Sequence, residues 1–217
     1  MRIVHDDDQV VIVDKPAGLL SIATDTERER TAYAQVFDLL KCRRPPERPF
    51  VVHRLDREAS GLLVLAKTPA AKRSLQEQFE DHSAGRTYTA VVDGLVRADR
   101  STLRSYLREN AAHQTYSTRP ERGGKLAITH VEVVRRNAAR GRTLVRLELE
   151  TGRKHQVRAQ LAEAGHPIVG DPRYGERRGE RAPRLALHGV ELRFRHPRTG
   201  QVVEVRSPFP EALRRLV

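Results

Sequence analysis

The sequence has one cysteine, Cys42, no tryptophan and few aromatics of any kind, 5% of 217 residues. A lone thiol makes no internal disulfide and supplies no zinc cluster, which excludes disulfide scaffolds and zinc fingers and suits a reducing compartment. With aromatics scarce, the core has to be aliphatic. The 38% hydrophobic content allows one, because a chain of this length buries about 70% of its unfolded surface. Disorder is therefore excluded as the main state. Long apolar runs are missing as well: stretches such as 61–66 fall far short of the roughly 18 residues a bilayer span needs. Residues 1–8 turn acidic at once instead of building a signal peptide, so the chain reads as a soluble, cytoplasmic protein without membrane partners. Linkers and internal repeats of 20 to 50 residues are absent too, which predicts a single domain over 1–217.

Charge is plentiful but lopsided. Forty basic residues stand against 28 acidic ones, a formal net charge of +12, and only six of the forty are lysine. Arginine suits forked phosphate contacts and stacking on bases, and a strongly basic chain concentrates polyanions near itself. Codon bias toward arginine is the plainer source of the excess, so nucleic acid is the favoured partner on charge without being established by it.

Hydrophobic periodicity predicts strands at 10–13, 50–52, 62–66, 88–92, 129–134, 143–149, 185–187, 192–194 and 202–205. Helices are expected over 31–41, stopped by Arg43-Arg44-Pro45-Pro46, and from the Thr68 cap and Pro69 through about Glu80. A third runs over 155–164, with Val157 and Leu161 on its apolar stripe, Arg158 and Gln160 off it, and Gly165 beyond its end. His196-Pro197-Arg198-Thr199-Gly200 reads as a hairpin turn. Strands in runs with few helices predict an α+β fold with a mostly antiparallel sheet.

Two segments carry candidate chemistry. Asp56, within His53-Arg54-Leu55-Asp56-Arg57 on a polar loop between apolar strands, is a carboxylate flanked by arginines that favour its charged form, available as nucleophile or base. The same residue type also forms turns and surface ion pairs, and spacing alone leaves both open. Thr151-Gly152-Arg153-Lys154-His155-Gln156-Val157-Arg158 gathers basic groups at a helix start, where free amides favour phosphate; a solvated basic face is the alternative. Arg153 and Arg158, five apart, face different directions on a helix. His53, His155, His166 and His188 with Asp171 show no metal-ligand spacing. Neither the hydrolase serine elbow nor the phosphate-binding loop is present: Ser60-Gly61 and Gly123-Gly124-Lys125 lack the flanking glycines.

Four blocks in order make a resemblance specific: Val11-Ile12-Val13-Asp14-Lys15-Pro16-Ala17-Gly18; His53-Arg54-Leu55-Asp56 with Ser60-Gly61; Arg86-Thr87-Tyr88-Thr89-Ala90-Val91-Val92-Asp93-Gly94; and 151–161 followed by Gly165-His166-Pro167-Ile168-Val169-Gly170-Asp171. Over about residues 8–210 the chain resembles the RluA family of RNA pseudouridine synthases. The resemblance implies their catalytic fold, a mostly antiparallel mixed sheet flanked by helices and loops around a central cleft, and the isomerisation of uridine in RNA. It implies Asp56 as the essential carboxylate, attacking the sugar or taking a sugar proton. Tyr88 would stack on the flipped uracil, Arg158 would pair with the Asp56 carboxylate, and Arg54 would enter where the target base leaves the stack. His53, Arg57, Arg153, Lys154 and His155 complete the expected RNA-contacting set. No cofactor and no metal are implied, and a monomer is expected. Two departures stand out. No small RNA-binding domain of the kind many relatives carry is expected before Val10, and Gln160 stands where relatives often have histidine. The competing readings are a silent RNA-binding module on the same fold and, more remotely, a metal-dependent phosphodiesterase.

The +12 charge carries a first prediction. The logarithm of RNA affinity falls linearly with the logarithm of salt concentration between about 50 and 200 mM, as phosphate contacts require. Fluorescence anisotropy with labelled RNA measures the slope, and a flat line would remove the electrostatic reading.

Overall fold

The computed structural model describes residues 1–175 and 182–217. It divides into two compact units, one built from 1–85 and 189–207, the other from 86–188 and 208–217.

In the first unit, β1 (Arg2–Asp6) and β2 (Val10–Lys15) pair antiparallel, and β2 continues the ladder onto β4 (Ser60–Ala66), with Val10 opposite Ala66 and Lys15 opposite Gly61. The short β3 (Phe50–Val51) also pairs with β4. Val10, Val11, Ile12 and Val13 are all fully buried, as are Leu63, Val64, Leu65 and Ala66. Strands buried on both faces read as continuous apolar runs, which is why the sequence shows blocks here instead of alternation. Helix α1 (Ala32–Lys41) buries Ala32, Val36 and Leu40; it starts at Thr31, whose hydroxyl accepts the Ala34 amide at 3.0 Å. Helix α2 (Pro69–Glu80) starts the same way at Thr68, with Pro69 in its first turn where no amide bond is lost. Ala71 and Leu75 of α2 join a core with Val10, Ile12, Leu62, Val64, Leu192 and Phe194.

The second unit is an antiparallel sheet whose adjacent strands are not all consecutive in the chain. β5 (Gly85–Asp93) pairs with β9 (Arg142–Leu149), β9 with β8 (Lys125–Asn137), β8 with β6 (Arg100–Glu109) and β6 with β7 (Thr115–Thr118), every ladder antiparallel. Helix α3 (Gln156–Glu163) packs on β6 and β7. β10 (Leu187–Arg195), whose residues from Gly189 belong to the first unit, pairs there with β11 (Val202–Arg206) through the 196–200 turn. The short α4 (Glu211–Arg214) closes the chain's fold. Among the described residues no helix is long and apolar enough to cross a membrane.

The architecture is α+β with a mostly antiparallel sheet, as the sequence predicts. The expected strands at 185–187 and 192–194 are one strand, because Gly189 continues the extended backbone instead of breaking it. β1, β6 and β7 went unpredicted; their exposed, arginine- and serine-rich faces carry little apolar alternation.

Gly61 shows how tightly β4 and β10 approach. Its φ is +121°, a value side chains rarely adopt, and a Cβ would stand 2.6 Å from the Gly189 Cα. Gly61→Ala is expected to destabilise the protein by about 2 kcal/mol or more, since backbone has to move to admit the methyl. Urea denaturation measures it; an unchanged midpoint would show that the two strands give way freely.

Candidate active site

The loop carrying Asp56 occupies residues 52–59, between β3 and β4. Leu55 is its anchor: the side chain is buried, its amide donates to Ser21 Oγ at 3.0 Å, and Ser21 Oγ returns a bond to the Leu55 carbonyl at 2.7 Å. Alternation about Leu55 turns the neighbours outward. Arg54 and Arg57 are exposed, and Asp56 is half-buried.

Lys15, at the end of β2, holds this loop from beneath. Its side chain is fully buried, and Nζ donates to the carbonyls of Pro16 at 3.0 Å, Leu19 at 2.8 Å, Arg57 at 3.4 Å and Ala59 at 2.7 Å. An ammonium taken out of water needs oxygens around it. The one charge therefore ties the 16–19 turn to both sides of the Asp56 loop, and the Gly18 amide adds a bond to the Arg57 carbonyl at 2.7 Å. Sequence reasoning quoted Lys15 as part of a turn and missed this work; its signal was a lysine ending an apolar strand. His53, expected among the RNA contacts, packs into the scaffold: Nε2 accepts the Val64 amide at 3.2 Å and the ring centre lies 4.8 Å from that of Phe79.

In the second unit, Tyr88 lies half-buried on β5, in register with Leu147 of β9. Two residues earlier, Arg86 runs buried beneath the 151–155 loop. A Cβ on Gly152 would lie 3.0 Å from the Arg86 guanidinium carbon, so a side chain there would push the guanidinium aside. Burial, opposed by Tyr88 and helped by Arg153, lowers the Arg86 pKa from its usual value.

Helix α3 corrects one expectation. Arg158 and Gln160, placed off the apolar stripe by spacing, are both buried, and so are all residues from Gln156 to Leu161. The helix is enclosed all round, with polar groups matched to polar partners. Gln156 Nε2 donates to the Ile128 carbonyl at 3.0 Å and to Thr129 Oγ1 at 2.9 Å, while its Oε1 accepts the Thr151 hydroxyl at 2.8 Å and the Arg153 amide at 3.0 Å. Thr129 in turn donates to Gln160 Oε1 at 2.7 Å, and Gln160 Nε2 is shared among Ser105 Oγ at 3.0 Å and the carbonyls of Ala127 and Leu103 at 3.1 and 3.3 Å. A saturated amide network of this kind fixes the helix at low cost, whereas a half-satisfied one is expensive. At Gln160 the network is complete without a titratable group.

Arg158, 1% exposed, meets Asp171, 0% exposed, edge to edge: Nε to Oδ2 at 2.8 Å and Nη2 to Oδ1 at 2.9 Å. The guanidinium carbon also lies 5.4 Å from the centre of the Tyr174 ring. Burial by itself would raise the Asp171 pKa. The Arg158 hydrogen bonds and charge, with the Arg173 and Tyr174 amides, outweigh burial and hold it below the usual carboxylate value. In the sequence Asp171 stands at the end of the fourth motif block and as an unconvincing metal ligand, with no pairing to Arg158 expected. The rest of the basic segment points elsewhere, because Arg153 and Lys154 lie in the loop before α3 and not on the helix to which the five-residue offset applies. Arg153 is exposed and donates through Nε to the Leu126 carbonyl at 3.0 Å; Lys154 pairs with Glu109; His155 Nδ1 lies 3.0 Å from Tyr174 Oη. Arg153 and Lys154 line a groove of about 290 Å³ with Arg108, Thr115, Lys125 and Gly152.

Asp7, Asp8 and His196 come within reach of one another. His196 Nδ1 accepts the Arg198 and Thr199 amides at 3.3 and 3.2 Å, which leaves its proton on Nε2, 3.2 Å from Asp7 Oδ2. The ring is arranged to donate to the carboxylate, not to ligate a metal.

The lowered Asp171 pKa has a consequence for stability. A carboxyl whose folded pKa lies below its unfolded value contributes stability above the unfolded value and loses it as pH falls through the folded one. Stability should therefore decline on acidification below 3.8, the ordinary value, and decline less steeply in Asp171→Asn. Urea denaturation from pH 6 to pH 3 measures both slopes, and equal slopes would separate this carboxyl from the acid loss.

The sequence pattern of the family described as RNA pseudouridylate synthase matches residues 9–163. An uncharacterized RNA pseudouridine synthase of Bacillus subtilis (strain 168), YhcT, is 35% identical over all of this chain and 71% of its own length. Ribosomal large subunit pseudouridine synthase C of Salmonella typhimurium is 35% identical over 98% of this chain and 68% of its own. Among solved structures, human RNA Pseudouridylate Synthase Domain Containing 1 superposes with a TM-score of 0.75 at 29% identity, covering 95% of this chain and 82% of that one. Motifs, fold and full-length likeness agree: the chain belongs to the RNA pseudouridylate synthase family.

Proposed function

We propose that this enzyme converts particular uridines of ribosomal RNA to pseudouridine, with transfer RNA as the second substrate class, and that Asp56 is its essential carboxylate. The reaction breaks the C1′–N1 glycosidic bond, turns the uracil and joins C5 to C1′; the proton displaced from C5 ends on N1, so nothing is gained or lost. No redox partner or energy source is needed. Ribosomal RNA leads because large-subunit synthases stand among the relatives.

The observation that carries the assignment to Asp56 is its mounting. A half-buried carboxylate sits between exposed Arg54 and Arg57 on a loop pinned by Leu55 and by the four-carbonyl grip of Lys15. Loops on rigid scaffolds carry chemistry, and a reacting group has to be held still. Asp56 either attacks C1′, splitting one hard step into two, or removes a sugar proton. Tyr88 stacks on the extruded uracil, and Arg158 is the cation that keeps the reacting carboxylate charged. The base has to leave its stack first; Arg54 takes its place, while Arg57, Arg153, Lys154 and His155 complete the RNA-contacting set. A monomer acting in the cytoplasm belongs to the same reading, supported by the lone exposed Cys42.

Site-by-site mapping of pseudouridine in RNA from a strain lacking the gene tests this, with wild type or Asp56→Asn restored. A position should be lost, return with wild type and stay absent with folded Asp56→Asn, an effect of at least about 10³-fold on rate. Full restoration by Asp56→Asn would leave the RNA-binding module as the better account.

A further inference from the structure

A fully buried ion pair is a poor way to hold a fold together. Removing two charges from water costs so much that an apolar pair of similar volume often serves as well or better. Arg158 and Asp171 are nonetheless the most enclosed pair of opposite charges among the described residues, at 1% and 0% exposure. Their geometry suggests what the expense achieves. Asp171 occupies one edge of the guanidinium, Nε and Nη2, in a fork that fixes its plane. The carboxylate is itself unable to turn, because Oδ1 also accepts the Arg173 amide at 2.9 Å and the Tyr174 amide at 3.1 Å. The turn bearing those amides is clamped in its own right: Tyr174 Oη accepts the Thr115 amide at 2.8 Å and meets His155 Nδ1 at 3.0 Å. From the other side, the Gln156 and Gln160 amides hold the helix backbone that carries Arg158.

We infer that Asp171 is a positioning residue of the isomerisation, fixing the plane of the Arg158 guanidinium. This rests on the catalytic role proposed for Arg158. It adds that the role depends on a second carboxylate, 13 residues further on in the chain, that touches no substrate. A lysine could not serve, since an ammonium has no plane to set. The charge of Asp171 also offsets part of the cost of burying Arg158.

The test uses the full chain and ribosomal RNA from a strain lacking the gene, with single-turnover pseudouridine formation, RNA affinity and thermal melting measured in parallel. Asp171→Asn should slow the reaction about 10²-fold, the scale of a misplaced reacting group, with RNA affinity within about twofold of wild type, a split that points to loss in the transition state alone. Arg158→Lys should be comparably slow, and the double variant no slower than either, because both changes remove one unit. The Arg158 Nε–H resonance should leave the slowly exchanging set in Asp171→Asn. Where Asp171→Asn fails to fold, Asp171→Glu keeps the charge and displaces the fork, and should be folded and slow. A wild-type rate in folded Asp171→Asn or Asp171→Glu, rate losses that multiply in the double variant, or failure of both single variants to fold would overturn the proposal. Full activity of Arg158→Lys would overturn the catalytic reading of Arg158 itself, and inactive wild type would overturn the choice of ribosomal RNA, each taking this inference with it.

Discussion

Charge removed from water must be answered by charge or by oxygen, and both units of this protein are arranged around that demand. Arg158 is answered by Asp171 in a fork that leaves neither group free to rotate. Lys15 is answered by four carbonyls drawn from two loops. In each case the buried cation fixes the geometry of a polar segment that apolar packing could not hold, because loops offer few side chains to a core. The desolvation cost of the cation is the reason the surrounding groups have no choice of position.

Around these charges the remaining polar groups are neutral and saturated. Gln156, Gln160, Thr129 and Thr151 exchange bonds with one another and with β8 backbone, so helix α3 can be polar, buried and rigid together. Apolar strands do the rest: β2 and β4 are enclosed on both faces and support the Asp56 loop at their ends. Outside this frame the surface is arginine-rich and suited to a polyanion, with the exposed Arg54, Arg57 and Arg153 on loops that the buried contacts hold in place.

Much of this was legible in the sequence. Helices α1 and α2 announce themselves by a threonine cap and a 3.6-residue period, β2 and β4 by apolar blocks, and the 196–200 hairpin by its turn chemistry. What stayed hidden follows one rule. β1, β6 and β7 are paired through backbone bonds while most of their side chains are exposed or only half-buried, so little periodic signal records them. Arg158 and Gln160 read as a solvated face because composition reports polarity, not whether a polar partner awaits inside. Asp171, Tyr174 and Thr129, the partners that make burial possible, lie 13 to 31 residues away from them in sequence.

The sequence by itself determined the α+β class, the order of the motif blocks, the family and Asp56 as a candidate, because these rest on local patterns and on residue types at fixed spacings. Only the tertiary structure decided which charges are buried and by what they are met. That choice depends on contacts between distant segments, such as Lys15 with Ala59 and Arg158 with Asp171. Desolvation is a property of the folded surroundings, and no residue carries it in its own name.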